Sequence, residues 1–132
     1  MKLLHKRTAP RYERPEGITS YLLASPRTTG ARHLTVSFVE LEPGGAQRIH
    51  SHSPEQVYFI LEGCGRMTVA DETRKVQCGD CIFIPGGARH GLENDTQEPL
   101  TYFSAAAPAF EEPLESLWPL PCEADEPERG AS

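Results

Sequence analysis

The sequence predicts an all-β fold, a closed barrel or double sheet of short strands. Three observations predict it. Eleven glycines and twelve prolines in 132 residues fall between short apolar runs, the mark of many strands joined by tight turns. Several runs alternate with a period of two, so every second side chain faces one side of a sheet. No apolar stripe of helical period precedes residue 105. Only Phe110–Trp118 (FEEPLESLW) suits a short helix, starting near Pro113.

The expected strands run in order. Ile18–Ala24 (ITSYLLA) is apolar, follows a polar arm and reads as an edge strand. In His33–Leu41, Leu34, Val36 and Phe38 share one face, with Val39 and Leu41 on the other. Ala46–His52 and Gln56–Glu62 follow, separated by Pro54. Gly65–Ala70 and Arg74–Gln77 pair as a hairpin across Asp71-Glu72. Cys81–Ile84 follows a Gly79-Asp80 turn, and His90–Asn94 follows the rigid Pro85-Gly86-Gly87 bend. Leu100–Ala106 completes the set. Nine strands in about 90 residues suit a barrel or a double sheet, whose alternate side chains line an interior.

The length fits one domain, with a basic arm at 1–17, the β-domain at 18–107 and an acidic, Pro-rich segment at 108–132. From Ala107 to Ser132 seven acids face the single base Arg129, which accounts for the whole formal charge of −6. That acidic end and the lack of a basic helix argue against a nucleic-acid partner. No apolar run approaches the roughly 20 residues of a membrane span, and MKLLHKRTAPRYERP lacks a signal-peptide core. A cytoplasmic protein with no membrane partner is expected. Cys78 and Cys81 form C-x-x-C without a second such pair or a βαβ setting. With Cys64 and Cys122 they read as small buried residues rather than a redox or zinc site.

The chemistry concentrates at His50-Ser51-His52. Residues i and i+2 on a strand point the same way, so both imidazoles face one side. An isolated pair of this kind is more often solvent-exposed or hydrogen-bonded than metal-binding. Its setting decides. Gly44, His50, His52, Gln56 and Gly63 follow G-x5-H-x-H-x3-Q-x6-G, and Gly79, Pro85, Gly87, His90 and Asn94 follow G-x5-P-x-G-x2-H-x3-N. These two stretches resemble the paired signature motifs of the cupin superfamily, in its small single-domain form. They span Gly44–Asn94 and match at every position but one: Gln56 stands where the family usually has Glu.

The resemblance implies a jelly-roll barrel with one divalent transition metal ion (Fe, Zn, Ni, Mn, Co or Cu). It implies His50, His52, Gln56 and His90 as ligands. An amide is a weaker, neutral donor, so Gln56 leaves the full 2+ charge on the ion. Two alternatives stand beside it: Glu55 as the ligand, or a three-histidine site around which Gln56 only hydrogen-bonds. Neighbours on a strand face opposite ways, which favours Gln56 over Glu55. Arg48, two residues before His50, is placed on its face and suits an anionic substrate. Tyr58 is a proton-donor candidate weighed against aromatic packing. Phe38, Met67 and Phe103 read as core or cavity wall. Asn94 suits bonding to backbone at a strand end.

Two functions are compatible with the resemblance. One is a metal-dependent enzyme, a dioxygenase, isomerase or related activity, acting on a small oxygen-chelating molecule such as an enolised diketone. The other is a non-catalytic cupin that binds a small molecule or metal. Small cupins are typically homodimers, and an unpaired Ile18–Ala24 edge would suit strand exchange with a second copy.

Overall fold

Alternation along the chain turns apolar side chains inward and lets ten strands form, described here in a computed structural model that covers residues 1–110. They are β1 (Arg11–Arg14), β2 (Ile18–Leu22), β3 (Thr35–Leu41), β4 (Ala46–His50), β5 (Glu55–Glu62), β6 (Cys64–Val69), β7 (Glu72–Gln77), β8 (Cys81–Ile84), β9 (His90–Glu93) and β10 (Leu100–Ala107). Among the described residues the only helical element is a 3-10 turn at Lys6–Thr8. None of their helices is long and apolar enough to cross a membrane. The helix expected at Phe110–Trp118 and the acidic segment lie, beyond Phe110, outside the described residues.

Two antiparallel sheets face each other as a jelly roll. One has the order β1-β2-β3-β10-β5-β8, the other β4-β9-β6-β7. Of the two expected forms, closed barrel or double sheet, the double sheet results: among the described residues no ladder joins an edge strand of one sheet to an edge of the other. The strands expected after residue 18 all form, within two residues at most ends. The hairpin turn falls at Ala70-Asp71, one residue earlier than expected, with Ala70 at φ 55° and Val69 opposite Glu72.

β1 was not expected, because RYER lacks β-branched residues. Pairing creates it: after the Pro15-Glu16-Gly17 turn the chain doubles back, with Arg14 opposite Ile18 and Arg11 opposite Tyr21. Gly17 makes that reversal at φ 78°, which a side chain tolerates poorly. β2 is therefore not an edge strand, since β1 and β3 flank it.

The inward face of β3 carries Thr35, Ser37, Val39 and Leu41, while Val36 and Phe38 look outward. Across it, Ser37 and Ser104 are register partners whose hydroxyls meet at 2.9 Å. The interior is thus graded. Ile18, Leu41, Ile60 and Leu100 fill one end, and small hydroxyls leave room at the other. Met67 is core as expected. Phe38 and Phe103 are not. Phe38 lies beneath Lys6 and beside Tyr21, and Phe103 stacks on Phe59 on the outer face. The cysteines also depart from expectation. Cys78 and Cys81 are exposed thiols and Cys64 is half-buried, because alternation in β8 turns Ile82 and Ile84 inward instead.

Asn94 ties the ends of three segments together from a fully buried position. Its amide nitrogen donates to the carbonyls of Leu41, Glu42 and Glu98, and its Oδ1 accepts from Thr96. Asn94→Ala leaves those buried carbonyls short of donors. It should lower the unfolding free energy by about 3 kcal/mol in urea titration, with the affinity for added metal unchanged.

Candidate metal centre

The site forms where the sheets part at the polar end of the interior. His50 ends β4 and lies directly opposite His90, the first residue of β9. Their ring centroids are 4.3 Å apart. His52 is not on the strand as expected. It sits in the crossover that carries the chain from β4 in one sheet to β5 in the other, with its ring 5.5 Å from His50 and 4.8 Å from His90. The Pro85–Gly87 bend holds that crossover: Gly87 N–H donates to the His52 carbonyl, and the carbonyl of Ser53 stands where a Cβ on Gly86 would go.

Each imidazole has its tautomer fixed locally. Nδ1 of His50 lies 2.9 Å from the Arg48 carbonyl, that of His52 3.0 Å from Pro54, and that of His90 2.9 Å from Ala88. A carbonyl only accepts, so Nδ1 carries the proton and Nε2 keeps its lone pair. Metal-binding histidines are held in this way. Nε2 of His90 is buried with no hydrogen-bond partner, a state that costs free energy unless a cation or donor meets it. The ligand atoms of the three histidines lie within 4.8 Å of one another. Nitrogens sharing one ion stand at most about 4.2 Å apart, and the three ligand atoms are already near that spacing. The group fits a metal ion.

Gln56 enters from β5 and is buried, whereas Glu55 is exposed. Its Oε1 stands 2.9 Å from Nε2 of His52. With the His52 proton committed to Nδ1, both of these atoms are acceptors. Either the amide turns end for end to donate, or a cation binds between them.

Burial dominates the electrostatics. It lowers the His50 pKa and pushes that of His90 down to about 4, the neighbouring imidazoles adding to the effect. Both rings are neutral at pH 7, as metal ligands must be. Tyr58 is buried beneath His90, with ring centroids 6.0 Å apart, and 4.5 Å from Tyr102. Burial raises the pKa of both phenols above the usual tyrosine value, so each stays protonated.

A cavity of about 340 Å³ opens over His50 and His52, with Tyr58, Tyr102, Ser37 and Ser104 in its walls. Arg48 lines it from an exposed position. Arg48 thus reaches the cavity of His50 as expected, but it stays exposed, and the local register has a physical reason. Gln47 pairs with Leu92 and His50 with His90, so three residues on β4 span two on β9. This bulge reverses the alternation and gives Gln47 the face of His50. Gly91 accommodates it, because a Cβ there would meet the Gln47 carbonyl at 2.9 Å. Sequence reasoning missed Arg14, Gln47 and Phe110, all of which line the cavity. The ring of Phe110 lies 4.9 Å from His52. The one available signal was the alternation of Tyr12 and Arg14.

Comparison with known proteins agrees with this geometry. Residues 37–106 match the family model of the cupin domain. An uncharacterized protein of Methanocaldococcus jannaschii is 37% identical over 68 residues, 51% of this chain and 54% of that protein. The dimethylsulfoniopropionate lyase DddW of Ruegeria pomeroyi is 35% identical over 60 residues, 46% of this chain and 40% of the lyase. The matched region thus spans about half the length of these curated relatives. The polyketide cyclase RemF of Streptomyces resistomycificus superposes with a TM-score of 0.70 at 26% identity, covering 81% of this chain and 79% of the cyclase. The family match takes in more than half of the chain, and the chain belongs to the cupin-domain family.

The buried neutral His90 makes stability depend on pH. Its folded pKa, about 4, lies below the ordinary 6.5, so the unfolded chain binds the proton first as pH falls. The contribution is complete above about pH 6.5 and is lost progressively toward pH 4. Metal-free protein should lose roughly 2–3 kcal/mol of unfolding free energy between pH 7 and pH 4.5 from this group. Urea titrations of wild type and His90→Asn at the two pH values should show a shallower loss in the variant.

Proposed function

With a cupin domain as premise, we propose that this chain is a metal-dependent enzyme acting on a small oxygen-chelating molecule. The observation that carries the reading is Nε2 of His90, buried without a partner beside the lone pairs of His50 and His52. His50, His52 and His90 would hold a divalent ion of the imidazole-preferring series, Fe, Zn, Ni, Mn, Co or Cu. Gln56 would supply an amide oxygen, which its 2.9 Å approach to His52 favours over the exposed Glu55. Such an ion supplies Lewis acidity toward the oxygen atoms of a chelating substrate.

The chain's own residues do the rest. The cavity of about 340 Å³ admits only a small molecule. Its apolar walls, Val39 and Phe110 among them, would pack against one face of the bound molecule. Tyr58, kept protonated by burial, can donate a proton but cannot serve as a base. Glu16 is the one carboxylate among the described lining residues and is the candidate to accept a proton from an enolisable carbon. Dioxygen insertion, isomerisation and lyase chemistry all begin from such an enolate, and the lyase and cyclase similarities support this range.

The reading is tested by metal stoichiometry and turnover together. Purified chain should bind about one Co(II) or Fe(II), and His90→Ala should weaken binding by roughly a hundredfold. Gln56→Glu, which adds a negative donor, should tighten it by about tenfold. Oxygen uptake and product analysis on a panel of diketones and small enols should show turnover that His50→Ala abolishes. In wild type stripped of metal, Fe(II) should restore it. Tight binding of a panel member without consumption would instead favour a non-catalytic binding cupin.

A further inference from the structure

Alternation in β1 divides its charges. Arg11 and Glu13 face outward and pair with each other at 3.4 Å. Tyr12 and Arg14 face inward, with the Arg14 guanidinium 5.1 Å from the Tyr12 ring centroid. Arg14 then lines the same cavity as His50 and His52. Its Nη2 donates to Gln47 Oε1 at 2.9 Å, while its Nε is buried with no hydrogen-bond partner. No carboxylate among the described residues forms an ion pair with it; the ion pairs there are Lys6–Glu40, Arg11–Glu13 and Arg74–Glu72. A partly buried guanidinium whose Nε–H has no acceptor is suited to receive an anion. Its fork of donors matches a carboxylate by two parallel bonds.

The distance to the metal centre is set by one side chain. The Gln47 amide that holds Arg14 also lies 3.4 Å from Nδ1 of His50. The β4 bulge produces this arrangement by turning Gln47 to the face of His50. A guanidinium and a ligand imidazole thus stand on either side of a single amide, on one wall of a cavity of about 340 Å³. That separation suits a molecule of a few heavy atoms. Charge agrees: Arg14 and Arg48 line the cavity against the single carboxylate of Glu16.

We propose that Arg14 is a specificity-determining residue that receives the carboxylate of a small organic acid. The other oxygen atoms of that acid reach the His50, His52 and His90 centre. The inference rests on the metal-centred reading and adds the substrate class: a small carboxylate bearing a chelating keto or enol group.

The test uses two probes that share a chelating diketone and differ in one carboxylate, 2,4-dioxopentanoate and pentane-2,4-dione. Each is titrated calorimetrically into the full chain, once loaded with Co(II) and once stripped by chelator. In loaded wild type the acid should bind about tenfold tighter or better. Arg14→Met should erase that preference while dione affinity and Co(II) stoichiometry stay unchanged. Arg14→Lys should retain part of it, and melting temperatures should confirm that both variants fold. Equal affinities for the two probes in wild type, or a preference that survives in Arg14→Met, would overturn the proposal. So would a fall in dione and Co(II) binding alongside the acid, which would make Arg14 only a brace for Gln47. An Arg14-dependent preference that is the same with and without Co(II) upholds the anion site and sinks the metal reading. Two probes that bind equally, and only to loaded protein, do the reverse.

Discussion

Three neutral imidazoles with convergent lone pairs are the constraint on which the candidate site depends. Each tautomer is set by a carbonyl within two residues of its own histidine, those of Arg48, Pro54 and Ala88. The donor state of every ring therefore follows from local backbone and needs no distant partner. Long-range structure only brings the rings together: a strand register sets His50 against His90, and the glycine bend pins the crossover that carries His52. The burial that makes a charged His90 costly is the same burial that keeps its lone pair available at neutral pH.

The cavity owes its place to the gradient along the interior. At one end branched side chains close the space between the sheets. At the other, the inward positions of β3 and β10 carry Thr35, Ser37 and Ser104, which are too small to fill it. Their polarity is satisfied within the wall, as in the Ser37–Ser104 pair and the bond from Phe110 N–H to Thr35. Space is left over without unpaired polar atoms among these hydroxyls, and a substrate need not displace a structural bond to them.

Most of the β-framework was legible because apolar alternation and glycine turns are local signals. The facing of His50 and Gln56 followed from the same alternation, and the spacing of two motifs supplied His90 and the family. What escaped was decided between strands. β1 exists because the Gly17 reversal lays a polar segment along β2, and its own residues do not announce it. The place of Gln47 beside His50 escaped because a bulge on β4 cannot be seen without its partner β9. Barrel closure was likewise a question of edge pairing, which strand patterns in isolation do not answer. The exposed cysteines show the converse error: residue type suggested burial, and neighbouring isoleucines took the inward positions.

The replacement of a carboxylate by Gln56 and the inward turn of Arg14 act in the same electrostatic direction. A divalent ion held by three neutral imidazoles and an amide keeps its full charge, and a guanidinium one amide away adds to it. In a half-open cavity walled by protein, two such positive centres would repel more strongly than in bulk solvent. A carboxylate among the ligands would relieve the repulsion within the protein. With Gln56 in that place the relief would have to come from the ligand, so an anion touching both centres would gain from each. By linkage, the bound anion must then strengthen the hold on the ion as much as the ion strengthens the hold on the anion. On the proposed reading, a weak donor at position 56 would make metal retention and acid recognition two faces of one equilibrium.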